Sequence, residues 1–243
     1  MPRGRRWPRR VAVALLAILG VCAIGGGAAG LVTVHDRKPT AAQVTAAGQA
    51  AFAQQWRRLS AGQIFPATVS YTSELGDQTT ATRVGIAPQA PCGAAVDPGV
   101  ARVLESAGCV AVLRATYTDE SRTAVTTVGV VVMRSSAGAA SAYSAIVREN
   151  LGALLPVSFP GTIAAGFTRK ARENDGEQQA GGPYLVFYTA GYADGRDTSN
   201  EQAGSDDSSG ETVTADLPNG VTTSLLGTFN PPAHPCDDRD VRC

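Results

Sequence analysis

Lysine is almost missing from this sequence of 243 residues: Lys38 and Lys170 stand against nineteen arginines. With abundant alanine, that bias is the mark of a GC-rich genome and carries no chemistry. Histidine is as scarce. Only His35 and His234 occur, and neither is placed like a general base held in a folded cleft. No G-x-S-x-G, H-E-x-x-H or phosphate-binding glycine loop is found. No cysteine pair has C-x-x-C spacing, which argues against a redox enzyme or a zinc ribbon. Acidic clusters at 174–177, 206–207 and 237–240 lack the D-x-[DN]-x-[DN]-G spacing of a calcium loop and read as solvated turns. No catalytic residue, cofactor or metal is therefore expected.

What the sequence does have is one long apolar run near its start. Residues 11–34 carry no charge. At about 1.5 Å per residue such a helix spans a hydrocarbon core about 30 Å thick. Arg3, Arg5, Arg6, Arg9 and Arg10 precede it, with no acid among them. That asymmetry keeps the N-terminus in the cytoplasm and sends the rest outside. The expectation is a signal anchor: a basic cytoplasmic tail (1–10), a transmembrane helix (11–34) and a cell-membrane location. A cleaved signal peptide is the alternative, since small residues at 25–30 follow the densest apolar stretch. Gly26 and Gly30 form a G-x-x-x-G, a candidate helix-dimer contact for a homodimer. Without the five leading arginines, 16 basic residues face 21 acidic ones, a net charge of about −5. A mildly acidic domain of this kind speaks against nucleic acid as a partner.

Beyond the span, Thr40 is a candidate N-cap and residues 41–60 are rich in helix formers. Val44, Phe52, Trp56 and Leu59 share a face, so a juxtamembrane helix within 35–62 is expected, with Trp56 packed on the domain that follows. That domain covers 63–229. Strands are expected at 64–72, 79–87, 110–118, 125–133, 163–169 and 183–192, the β-branched run at 125–133 being central. Asp97 with Pro98 opens a short helix, and 135–151 forms another with Ala139, Ala142, Tyr143, Ile146 and Val147 on its buried stripe. Residues 173–182 and 194–210 read as loops. Residues 211–229 fit either a hairpin turning at Asn219-Gly220 or a short helix at 221–226. This order predicts an α+β fold, an antiparallel sheet with helices packed on one face, preceded by the transmembrane helix.

Four cysteines lie beyond the span: Cys92, Cys109, Cys236 and Cys243. An even number in an exported domain reads as two disulfides. The local pairs Cys92–Cys109 and Cys236–Cys243 are preferred, the second closing the Pro-rich tail (230–243); crossed pairing stays open. Tyr184, Tyr188 and Tyr192 share one parity on a strand and form a candidate ligand face. The basic cluster Arg169, Lys170, Arg172 reads as a solvated face or as ion-pair partners for the acidic loops.

An Arg-rich start, one span and a small disulfide-bearing exported domain: this layout resembles the uncharacterised single-pass, membrane-anchored proteins of actinomycetes. The resemblance covers the whole chain as architecture and implies location rather than activity. The expected role is an extracytoplasmic module that binds a cell-envelope component or protein partner, or helps an assembly there. An envelope hydrolase with a noncanonical site is the alternative.

Overall fold

A computed structural model of the chain describes residues 39–152, 154–197 and 212–229. Two compact units divide the chain, residues 1–45 with Cys243 and residues 46–242. The expected span at 11–34, Gly26 and Gly30 lie outside the described residues, as do Cys236 and Cys243. Among the described residues, no helix is long and apolar enough to cross a membrane.

Of the first unit, the described residues 39–45 form the opening turn of helix α1 (Ala41–Ala53). Thr40 caps it as expected. Its hydroxyl accepts from Gln43 N, while Gln43 Oε1 accepts from Thr40 N (2.8 Å). Each side chain thus satisfies a backbone N–H that a helix start leaves without a partner.

The second unit is built on one six-stranded antiparallel sheet. Its strands are β1 (Thr68–Thr72), β2 (Gln78–Ile86), β3 (Cys109–Thr118), β4 (Ala124–Met133), β5 (Asn174–Gln179) and β6 (Tyr184–Tyr192), in the order β1-β2-β3-β4-β6-β5. β4 is central, pairing with β3 on one side and β6 on the other, and all ten of its residues are buried. Its sequence explains that position: a strand covered on both faces reads as a nearly continuous apolar run rather than an alternation. β2 shifts register between Arg83 and Gly85, and the Phe159 ring lies where a side chain at Gly85 would project.

Helices cover both faces of this sheet, which corrects the expectation of one covered face. On the first face, Val128, Val130, Val132, Tyr184 and Val186 meet Phe52 of α1 and Leu217, Val221 and Leu225 of helix α7 (Thr212–Thr228), with Phe229 just beyond it. On the second, Val112, Val131, Met133, Leu185 and Phe187 meet helices α4 (Cys92–Ala95), α5 (Pro98–Ser106) and α6 (Ser136–Glu149). At the far end of that second face, Val125 packs with Ala164, Phe167 and Ala171 from the turns before β5. The turns approach closely. A Cβ on Gly191 would collide with the Ala171 carbonyl oxygen, so only glycine fits at that point of β6.

The second covering layer arises because residues 212–228 form α7, which decides for the helix over the hairpin and begins well before the 221–226 expected for it. Asn219-Gly220 lies inside this helix, and so does Pro218. Proline within a helix costs about 3 kcal/mol, so tertiary packing has to outweigh it. Leu217, Val221 and Leu225 are fully buried. The Tyr71 ring occupies the space where a Cβ on Gly220 would sit, so the glycine lets β1 and α7 approach rather than turning the chain.

Three other expectations are corrected. Residues 163–169 are turns followed by a single 3-10 turn (Arg169–Ala171), not a strand. The loop expected at 173–182 contains β5, whose composition, NDGEQQ, suits an edge strand with one solvated side. The single helix expected at 41–60 is broken into α1 and α2 (Gln55–Arg58), and a further short helix, α3 (Ala61–Ile64), follows it. Ser60 starts α3 with its own capping box, its side chain accepting from Gln63 N while Gln63 reaches back.

The break between α1 and α2 has a further cause. The Tyr184 hydroxyl donates to the Phe52 carbonyl (2.7 Å) and accepts from Trp56 N–H (3.3 Å). Those two groups, four residues apart, would bond each other in an unbroken helix. The hydroxyl is inserted into that bond, a recognised cause of helix bending.

Candidate functional site

The groove on the first face follows from that insertion. With Trp56 N–H held by Tyr184, the α2 segment presents the indole and Leu59 toward the ends of β2 and β3. Trp56, Leu59, Ile86 and Leu113, all half-buried, form an apolar lining to a groove of about 600 Å³. Ile64 and Phe65 lie beneath, fully buried. Arg57, Arg114 and Gln89 supply its polar groups, and no acidic residue lines it. The Arg57 guanidinium lies 4.7 Å from the centre of the Trp56 ring, a cation–π stack, and donates to Gln54 Oε1. Burial pushes the Arg114 pKa down from its ordinary value, yet a guanidinium is not deprotonated in proteins at neutral pH. The groove is therefore apolar and cationic in a domain whose net charge is negative.

A second cleft of about 630 Å³, lined mostly by polar and charged residues, lies at the other end of β2 and β3. Thr80, Thr82, Arg83, Asp119, Glu120 and Arg122 are among its lining residues. Its acids resemble a catalytic pair only in proximity. Asp119 Oδ1 accepts from Ala124 N (2.8 Å), and Oδ2 accepts from the Ser121 and Thr123 hydroxyls. Both carboxylate oxygens hold the β3–β4 turn. Among the described residues, no cluster of three or more His, Cys, Asp or Glu is placed to hold a metal ion.

The three tyrosines of the expected ligand face separate in the structure. Tyr184 is fully buried, its ring 5.2 Å from Phe52 and 4.5 Å from Phe229. This corrects its assignment to a ligand face: it is a core residue that shapes the groove from behind. Tyr188 is half-buried, its ring lying where a side chain at Gly176 would project. Burial, then Asp175 and Glu177, raises its pKa. Tyr192 is half-buried under the Arg196 guanidinium, 4.2 Å from the ring centre.

Cys92 and Cys109 are joined, as the local pairing anticipated. The bridge ties the start of α4 to the start of β3, enclosing α5. Asp97 stands before Pro98 at the start of α5, but its carboxylate makes no capping bond. It pairs with Arg169 (3.0 Å) and Arg172, and Arg172 also reaches Asp175 (3.4 Å). Lys170 pairs with Asp197 (3.8 Å). The basic cluster is thus used as ion-pair partners. Arg172 and Asp97 are mostly shielded from solvent, at 21% and 17% side-chain exposure, so their pair stitches the turns before β5 onto α5.

Sequence reading recognised Trp56 as a domain contact and missed the groove around it. Its signals were present but distant from one another: Arg114 breaking an otherwise apolar strand, and Ile86 ending β2. Nothing in the sequence shows that a tyrosine 128 residues away would split the helix carrying Trp56. No protein-family model matches this chain, and neither does any curated protein or solved structure.

Proposed function

We propose that this chain is a single-pass protein of the cell membrane whose exported domain is a binding module, with the Trp56 groove as its ligand face. The groove carries the reading. An apolar concavity with a few convergent polar groups is the usual form of a binding site, and this one has two arginines and no acid on its lining. The arginines before an uncharged run at 11–34 support the tether and its orientation. The Cys92–Cys109 bridge supports an oxidising compartment. The ligand class is an envelope component or protein partner presenting an apolar and negatively charged surface. A homodimer through Gly26 and Gly30 would double the binding faces on one membrane.

The test is retention of envelope material by the intact protein isolated from its own membranes. Wild type is expected to retain a specific component that Leu113→Glu loses, because a carboxylate there opposes the charge of the ligand. Equal recovery by both chains, with the variant folded, would remove the groove from the function. The polar cleft supports the second reading, a hydrolase, less well, because Asp119 is consumed by its own turn.

A further inference from the structure

We infer that β1 is a docking edge for a second copy of this chain, the two β1 strands pairing antiparallel about a two-fold axis at Ser70 and joining both sheets into one. The sheet has two edge strands, β1 and β5, and they are finished differently. β5 carries Asp175 and Glu177, and charge is a usual guard against edge pairing. β1 reads Thr-Val-Ser-Tyr-Thr. It has no charge, no proline and an unbroken register with β2, so those guards are missing from it. Among the described residues, no strand pairs with its outer side.

The register decides which backbone groups face outward. Arg83 N donates to the Ala67 carbonyl and Ser73 N to the Asp77 carbonyl, each at 2.9 Å. Bonded and non-bonded pairs alternate along an antiparallel ladder. With Thr68 opposite Thr82 and Thr72 opposite Gln78, Val69 and Tyr71 bond to β2. The N–H and C=O groups of Thr68, Ser70 and Thr72 therefore point away from it, and all three residues are exposed.

That outward set is self-complementary. Two copies related by an axis at Ser70 set Ser70 against Ser70 and Thr68 against Thr72, as an isologous contact requires. Each such pair has both residues turned toward the other backbone, so each can exchange two hydrogen bonds. Between them, Val69 meets Tyr71 on the first face, an aliphatic–aromatic pair of the kind that stabilises neighbouring strands. On the second face only hydroxyl side chains meet. The turn after β1 carries Leu75, which is 90% exposed, and this register sets it opposite Phe65 of the second copy. Glu74 falls opposite Pro66, so like charges stay apart. The contact is short against the roughly 800 Å² per partner of a standard interface, so the dimer depends on concentration. It requires neither a ligand in the Trp56 groove nor contact through Gly26 and Gly30.

The experiment uses the full chain in intact cells, carrying Thr68→Cys, Ser70→Cys or Thr72→Cys singly. A short thiol-to-thiol cross-linker is added, and linked peptides are identified by mass, with wild type as the blank for the native cysteines. Ser70→Cys is expected to link to itself. Thr68→Cys and Thr72→Cys alone should not, because four residues of offset separate equal positions by about 14 Å. Producing those two chains together should give a 68–72 link. Adding Ser70→Lys to both chains sets two ammonium groups at the axis and should abolish that link, with an unchanged thermal melt because residue 70 is exposed. Equal yields at all three positions, as a pair held only by its spans would give, would overturn the pairing. So would the absence of a 70–70 link in folded protein, or links from position 70 to another protein alone.

Discussion

The two faces of the sheet are covered by different means. The second face is roofed by α4, α5 and α6, which lie in sequence next to the strands they cover, and a disulfide encloses part of that roof. The first face is roofed by α1 and α7, which come from before β1 and after β6. Nothing covalent closes it among the described residues. Its closure depends on long-range packing centred on Tyr184, held between Phe52 and Phe229. The groove lies on this side, next to a helix whose backbone bond has been given up to a tyrosine. The local, cross-linked side acts as scaffold, and the side assembled from distant segments carries the candidate site.

Breaking the first face should have the largest effect. Phe229→Ala removes a fully buried ring and is expected to cost about 3–5 kcal/mol, read as a lower denaturation midpoint together with exposure of Trp56. A loss below about 1 kcal/mol would mean that α7 does not close the core. On the second face, replacing both Cys92 and Cys109 by serine should cost about 3 kcal/mol, because the bridge restrains a loop of 17 residues in the unfolded chain. Trp56 emission should stay unchanged in that variant; a shift would show that the faces are not independent.

A subtler substitution separates packing from positioning. Tyr184→Phe keeps the ring and deletes the hydroxyl inserted between Phe52 and Trp56. The stability cost is about 1 kcal/mol, since the two helix groups can then bond each other. Trp56 should nevertheless change its emission, because rejoining α1 and α2 rotates the indole away from Leu113. Unchanged emission would detach the hydroxyl from the geometry of the groove.

The smallest expected effect lies at the β5 edge. Burial, then the neighbouring Asp175 carboxylate, raises the pKa of Glu177. A carboxyl whose folded pKa is raised binds its proton more readily in the folded state, so its contribution to stability falls as pH rises through the interval between its unfolded and folded pKa values. Glu177→Gln should therefore gain stability at pH 7 relative to wild type, by less than about 1 kcal/mol after solvent screening. The gain should vanish in acid, where the wild-type carboxyl is protonated. Thermal melts at both pH values check the sign.

How much was legible in the sequence follows the same division. The second face was read best: the β3–β4 hairpin, the Pro98 helix, Ala139, Ala142 and Ile146 of the α6 stripe and the Cys92–Cys109 bridge all depend on neighbours in sequence, whereas Val147 of that stripe is exposed and 163–169 at the far end form turns rather than a strand. Errors fell where distant partners decide. Pro218 and Asn219-Gly220 signal a turn locally, and only the apolar face formed by Leu217, Val221 and Leu225 turns them into a helix. NDGEQQ has low strand propensity and pairs because β6 presents it with an edge. The groove could not be anticipated because its walls come from α2, β2 and β3, and its shape from a hydroxyl on β6.

The late position of α7 also sets an order of events. Four residues of the first core, Leu217, Val221, Leu225 and Phe229, become available only after everything from Ala41 to Tyr192 has been made. Until then the strands β3, β4 and β6 hold one oily side open, with valines at 128, 130, 132 and 186 facing water. A nascent chain in that condition is sticky and cannot finish folding by itself. Synthesis of this domain thus includes an obligatory unfinished interval, which a stalled or shortened product would never leave.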